Sequence, residues 1–275
     1  MVVDFREAMK KEMRRRKYSD RTIKTYLYCV DKFFSKTKKT IDKISKTDVR
    51  EYLTNIAEKK TGNTTNVNLN ALKFLFEDIL GKRMKLDIKY SKVPEKLPVV
   101  LTKQEVKRLF DAINNEKHKL MIQLMYSAGL RVSELINLKV EDLKINEGYG
   151  YVRQGKGNKD RLFIIAESLK EELKKFIAKK KISEYNYLFI SNRERKYSVR
   201  SLQQIIKKAG RKAGIVKNIS CHTLRHSFAT HLIENGSSLN EVQSLLGHKS
   251  PETTLTYLHN TSCSMINIKS PLDSL

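Results

Sequence analysis

The densest set of chemically capable side chains is Cys221-His222-Thr-Leu-Arg225-His226-Ser-Phe-Ala-Thr-His231, followed by Leu-Leu-Gly-His248 and Thr-Leu-Thr-Tyr257. On a helix, His222 and Arg225 stand three apart and share a face, so one anionic group can meet both. His222 and His226 have the i, i+4 spacing of a zinc-binding helix. That motif needs Glu directly after the first His, and Thr223 stands there. With neither that Glu nor a CxxC pair to complete a tetrahedral site, no metal is expected. Taken alone, the cluster equally suits polar positions on a partly buried helix.

The charge balance narrows the partner. The 275 residues carry 55 Lys+Arg against 30 Asp+Glu, a formal net charge of +25. Such an excess favours nucleic acid or an anionic membrane surface, and a solvated Lys-rich surface is its bland rival. Residues 1–98 hold 25 basic and 13 acidic side chains, and residues 99–275 hold 30 and 17, so the excess is no single basic tail. No apolar run approaches the ~18 residues of a membrane span. Met1-Val-Val-Asp-Phe-Arg-Glu7 has no apolar signal core, which argues against secretion. Cys29, Cys221 and Cys263 are odd in number and far apart, so they form neither a disulfide framework nor a CxxC pair.

The elements that must position these residues are mostly helical. Ser19 can cap a helix bearing Ile23, Tyr26, Leu27, Val30, Phe33 and Phe34 at helical spacing. Ser45-Lys-Thr-Asp48 reads as a capping box before Val49, Tyr52, Leu53 and Ile56. Thr61-Gly-Asn-Thr-Thr-Asn66 reads as a polar loop, and Val67 to Leu80 as an amphipathic helix closed by Gly81. Pro94 and Pro98 suit no helix interior, so residues 91–98 are the expected linker between a helical domain at 1–90 and a second domain at 99–275. There, Thr102 to Glu105 opens a helix, and the apolar run Leu120 to Tyr126 ends at Ala128-Gly129. A helical pattern restarts at Leu130-Arg131-Val132-Ser133-Glu134-Leu135. Tyr149 to Gln154 and Asp160 to Ile165 have strand character around the turn Gly155-Lys156-Gly157-Asn158, and Tyr187 to Ile190 suggests one further short strand. The expected fold class is mainly α with a small antiparallel β-sheet.

Read in order, Ala128-Gly-Leu-Arg131-Val-Ser-Glu134-Leu, Gly155-Lys156-Gly-Asn-Lys-Asp-Arg161, His222-Thr-Leu-Arg225-His, Leu-Leu-Gly-His248 and Thr253-Thr-Leu-Thr-Tyr257 form a series. The series resembles the catalytic signature of the tyrosine recombinase (phage integrase) family. Tyr257 follows His248 by nine residues, the spacing typical of that family. The helical N-terminal region and proline linker resemble the family's core-binding domain, so the likeness covers nearly the whole chain. The pattern is most similar to the short Xer-type recombinases, whose archaeal members tend to end like Ile268-Lys-Ser-Pro-Leu-Asp.

The resemblance implies a catalytic set of Arg131, Lys156, His222, Arg225, His248 and the nucleophile Tyr257. A phenol with a pKa near 10 must be activated to attack a phosphodiester, and charge then builds on the non-bridging oxygens. The Arg131 and Arg225 guanidiniums suit those oxygens, and their field favours the tyrosinate. His222 would exchange the proton, His248 would donate to the phosphate, and Lys156 would protonate the leaving 5′-oxygen, with Lys159 close enough to compete for that role. Glu134 either orients these basic side chains or forms only a helix salt bridge. His226 and His231 read as structural. Cys221 stands where many relatives have Pro, which predicts a looser helix start. The resulting 3′-phosphotyrosine conserves bond energy, so no ATP, metal or other cofactor is expected.

As partners the resemblance implies double-stranded DNA at a specific site, gripped between the two domains. It also implies a homotetramer on paired sites, monomeric or dimeric when free. Strands would be exchanged through a Holliday junction in a cytoplasmic, nucleoid-associated setting. The tail 267–275, with Ile268, Leu272 and Leu275, would dock on a neighbouring subunit or pack in cis. Chromosome dimer resolution is the expected role. Alternatives are the integrase of a mobile element, a type IB topoisomerase-like nicking and religation enzyme, or an architectural DNA-binding protein with no need of a nucleophile.

Overall fold

The structure is a computed structural model that describes residues 4–81, 86–94, 97–153, 160–180, 186–191 and 195–247. The chain divides into two compact units, Met1–Glu95 and Lys96–Leu275. Among the described residues no helix is long and apolar enough to cross a membrane.

Among the described residues, the regular structure of the first unit is all helical. α1 (Phe5–Arg15) is capped by the Asp4 carboxylate, and α2 (Asp20–Thr37) by the Ser19 hydroxyl. α2 buries Ile23, Leu27, Val30 and Phe33 along one face, with Tyr26 and Phe34 partly buried beside them. The Ser45–Asp48 capping box starts α3 (Lys46–Lys59), whose Tyr52 meets Phe33 edge to face at 5.1 Å between ring centres. The expected loop at Thr61–Asn66 is instead the first turn and a half of α4 (Gly62–Lys73). The polar side chains there are satisfied without a loop. Asn66 exchanges hydrogen bonds with the Ser91 backbone at 2.8 and 3.0 Å, and the Asn68 amide donates to the Thr64 carbonyl at 2.9 Å. A π-helical turn, Phe74–Ile79, continues α4, so the Leu80 N–H reaches back to the Leu75 carbonyl.

The second unit begins with α5 (Lys103–Asp111), started by the Thr102–Glu105 capping box, and α6 (Glu116–Ser127). α6 buries Leu120, Met121, Ile122, Leu124 and Met125, an all-round apolar stretch that only a core helix tolerates. α7 (Val132–Asn137) precedes a three-stranded antiparallel sheet of β1 (Leu143–Lys144), β2 (Tyr149–Val152) and β3 (Arg161–Ile164). In the β2–β3 register Val152 faces Arg161. The turn expected at 155–158 lies outside the described residues. α8 (Glu167–Lys180), α9 (Val199–Lys212), α10 (Cys221–Glu234) and α11 (Leu239–Leu246) follow among the described residues. The strand expected at Tyr187–Ile190 resolves into two isolated bridges, Lys139 to Tyr187 and Ile190 to Lys196, because its two ends pair with different segments. The architecture is mostly helical with one small antiparallel sheet.

Candidate active site

The site is built on helix ends. α6 stops in a Schellman turn, with the Gly129 N–H on the Tyr126 carbonyl and the Leu130 N–H on the Met125 carbonyl. Gly129 has φ +56°, and a Cβ there would stand 2.5 Å from the Phe228 ring, so only glycine fits. The turn delivers Arg131 to the N-cap position of α7, and three residues on it places Glu134. The Glu134 carboxylate accepts from the Arg131 backbone N–H at 2.8 Å and from the Arg131 guanidinium at 2.6 Å.

Two more guanidiniums converge on that carboxylate. Arg161, at the start of β3, donates to it at 2.6 Å, and Arg225 of α10 stands 3.8 Å away. Glu134 is buried, and burial alone would raise its carboxyl pKa. The Arg161 charge, the Arg131 N–H and the Arg131 charge outweigh that and hold the group below the usual carboxylate range. One anion therefore sits among three cations, and the excess of positive charge is fixed by the fold.

Arg225 is buried at 4% exposure and donates from its two terminal nitrogens to the carbonyls of Gly129 and Leu246. It thereby joins the end of α6 to the end of α11. His222 opens α10 on the solvent side. Desolvation of part of its ring, then the Arg225 and Arg131 charges, lower its pKa, so it is neutral at physiological pH and able to accept a proton. The expectation of a loose helix start at Cys221 fails: the Ser220 hydroxyl caps the Thr223 N–H, and Cys221 is buried as the first helical residue. A cavity of about 550 Å³ opens beside Arg131 and Glu134, with Ser133, Tyr151 and Arg153 on its walls.

The structure thus gathers Arg131, Glu134, His222 and Arg225; Lys156, His248 and Tyr257 lie outside the described residues. It adds Arg161, for which no role was expected. The available signal was strand alternation. Arg161, Phe163 and Ile165 share the inward phase, while Leu162 and Ile164 face solvent, but both phases are apolar enough to hide it. His231 is buried and bonded to the Tyr126 hydroxyl at 2.7 Å, a structural contact between α6 and α10. Among the described residues no group of three or more His, Cys, Asp or Glu side chains could hold a metal ion.

The chain's neighbours in sequence space now bear on this geometry. Residues 99–263 match the model of the phage integrase family, and residues 5–86 that of the phage integrase N-terminal SAM-like domain. The chain belongs to the phage integrase family of tyrosine recombinases. It is 37% identical over 252 residues to the tyrosine recombinase XerA of Pyrococcus horikoshii, covering 89% of this chain and 85% of that protein. A crystal structure of XerA recombinase superposes with a TM-score of 0.58 at 29% identity, covering 97% of this chain and 99% of that one. The XerH site-specific recombinase, solved bound to a palindromic difH substrate after cleavage, shares the fold with a TM-score of 0.72 at 24% identity, over 88% and 77%. Tyrosine recombinases cleave and rejoin DNA strands, and this recombinase is of the Xer type.

The recombinase's histidines set a pH dependence. Burial, then the His222 and Arg225 charges, push His226 down to about 4, and His222 and His231 are lowered too. Between the ordinary histidine range and pH 4 the unfolded chain therefore binds more protons, so stability is full above about pH 6.5 and is lost as pH falls toward the folded values. Thermal unfolding at pH 7, 6 and 5 should show a falling midpoint. His226→Gln should flatten that slope by up to about 1.4 kcal/mol per pH unit, one proton's worth; an unchanged slope would contradict the assignment.

Proposed function

We propose that this recombinase cleaves duplex DNA at a specific site by attack of the Tyr257 hydroxyl on a phosphodiester. The P–O5′ bond breaks, a 3′-phosphotyrosine forms, and the 5′-hydroxyl leaves with a proton from Lys156. His222 accepts the tyrosine proton, Arg131 and Arg225 hold the non-bridging oxygens, His248 donates a further hydrogen bond, and Glu134 aims the arginines. The observation that carries the reading is the gathering of Arg131 and Arg225 at one buried carboxylate, with a neutral His222 in their field. A pentacoordinate phosphorane needs that combination: cations fixed before the reaction and a base that is not already protonated.

Four protomers pairing two sites would exchange strands in two steps through a Holliday junction, with residues 1–90 contributing DNA contacts and the tail 267–275 linking or closing subunits. The net charge of +25 suits phosphate-dominated binding that weakens steeply with salt. Chromosome dimer resolution in the cytoplasm is the role that Xer-type kinship favours. A nicked suicide duplex should trap a covalent adduct, and Tyr257→Phe should abolish the adduct while leaving binding intact; an adduct that persists in Tyr257→Phe would refute the nucleophile. Sequencing the DNA in trapped adducts should return one chromosomal locus, and scattered or element-borne sites would refute the chromosomal role.

A further inference from the structure

Arg161 is the buried cation whose place in the fold is unexplained by phosphate binding. Its side chain is 9% exposed, and its three nitrogens are directed inward. One terminal nitrogen donates to Glu134 at 2.6 Å and the other to the Leu245 carbonyl near the end of α11, also at 2.6 Å. Its Nε is buried without a partner among the described residues. The aliphatic part runs against Gly247, where a Cβ would lie 2.7 Å from the Arg161 Cδ, and Gly247 closes α11 with φ +62°. The backbone of Arg161 meanwhile pairs with Val152 at the last described rung of the β2–β3 ladder, five residues after Lys156.

Two anchors at one end of a side chain and a hairpin at the other make a latch. β1 and the buried Val152 and Phe163 hold the middle of the β2–β3 pair; at its Val152–Arg161 end, a guanidinium bonded to two different elements adds an anchor of fixed geometry. The cost of burying Arg161 is offset by Glu134, whose charge Arg131 alone could already balance, so a second cation there has another use. We infer that Arg161 is a positioning residue that fixes the Val152–Arg161 end of the β2–β3 ladder on Glu134 and α11, and so supports proton donation from Lys156 to the leaving 5′-oxygen. The inference rests on the reading of Lys156 as the proton donor.

The leaving group supplies the test. Replacing the bridging 5′-oxygen of the scissile phosphate by sulfur gives a group that departs as a thiolate, with a pKa near that of cysteine, and needs no proton. Single-turnover cleavage should be compared on oxygen- and sulfur-bridged duplexes for the parent protein, Arg161→Gln, Arg161→Lys and Lys156→Ala, with DNA binding measured alongside. Arg161→Gln should bind DNA as the parent does and cleave the oxygen duplex about 100-fold more slowly, the loss expected of a misplaced catalytic group. The sulfur duplex should restore its rate. Arg161→Lys, with one terminal nitrogen for two anchors, should fall between. A merely structural role slows both duplexes equally, and that result would overturn the inference. Lys156→Ala reports separately: if sulfur does not restore it, Lys156 is not the donor, while the ratio of the two rates for Arg161→Gln still decides whether Arg161 acts on leaving-group departure.

Discussion

Glu134→Ala is expected to destabilise the second unit by about 3–5 kcal/mol, the loss typical of removing one partner from a buried ion pair. The carboxylate meets Arg131 at 2.6 Å, Arg161 at 2.6 Å and Arg225 at 3.8 Å, and its own side chain is 5% exposed. Its removal leaves Arg161 and Arg225 buried with like charges and no anion between them, and strips the N-terminus of α7 of the group that accepts the Arg131 N–H. A surface i, i+3 pair would cost under about 1 kcal/mol, so chemical denaturation followed by circular dichroism separates the two cases. The double variant Glu134→Ala with Arg161→Met should recover part of the loss, because the cation that donated to the carboxylate at 2.6 Å is no longer left uncompensated. Glu134→Gln keeps the shape and an acceptor but not the charge, and should lie between. Because the folded carboxyl is held below its ordinary range, this stabilisation is complete above the usual carboxylate pKa and disappears as pH falls through the folded value.

What could be read from the chain without coordinates follows the range of the forces involved. The Ser45–Asp48 and Thr102–Glu105 boxes span three residues and close on themselves, so residue identity alone locates those helix starts. Thr61–Asn66 misleads because Asn66 is satisfied by Ser91, 25 residues away, and a run of Thr and Asn has no local sign that such a partner exists. The Arg131, His222 and Arg225 spacing marks the site, since each stands in a recognisable local motif. The arrangement around them is not local: Arg225 ends up bonded to Gly129, 96 positions earlier, and to Leu246, 21 positions later. Arg161 is the clearest case. It lies in a strand with apolar residues on both faces, and only tertiary packing reveals that its phase points inward to a carboxylate on another element.

Arg225→Lys is expected to lower the rate of strand cleavage by about 10²–10³-fold, the loss typical of removing one oriented donor from a developing oxyanion. Lysine preserves the charge but has one nitrogen where the guanidinium has two terminal ones, each already turned to a different carbonyl. A single ammonium cannot reproduce two nitrogens held apart in a plane, so the tie between the ends of α6 and α11 weakens as the phosphate loses its fork. Arg225→Ala should be worse in both respects, leaving two buried carbonyls unpaired at about 1–3 kcal/mol each. DNA binding should survive in Arg225→Lys, because affinity for the duplex is spread over many Lys and Arg residues in a chain of net charge +25. The sulfur-bridged duplex discriminates here in the opposite sense from Arg161. Charge on the non-bridging oxygens builds whatever atom departs, so sulfur should not restore Arg225→Lys. Restoration would move Arg225 from the phosphate to the leaving group, and the proposed division of labour between the two arginines would fall with it.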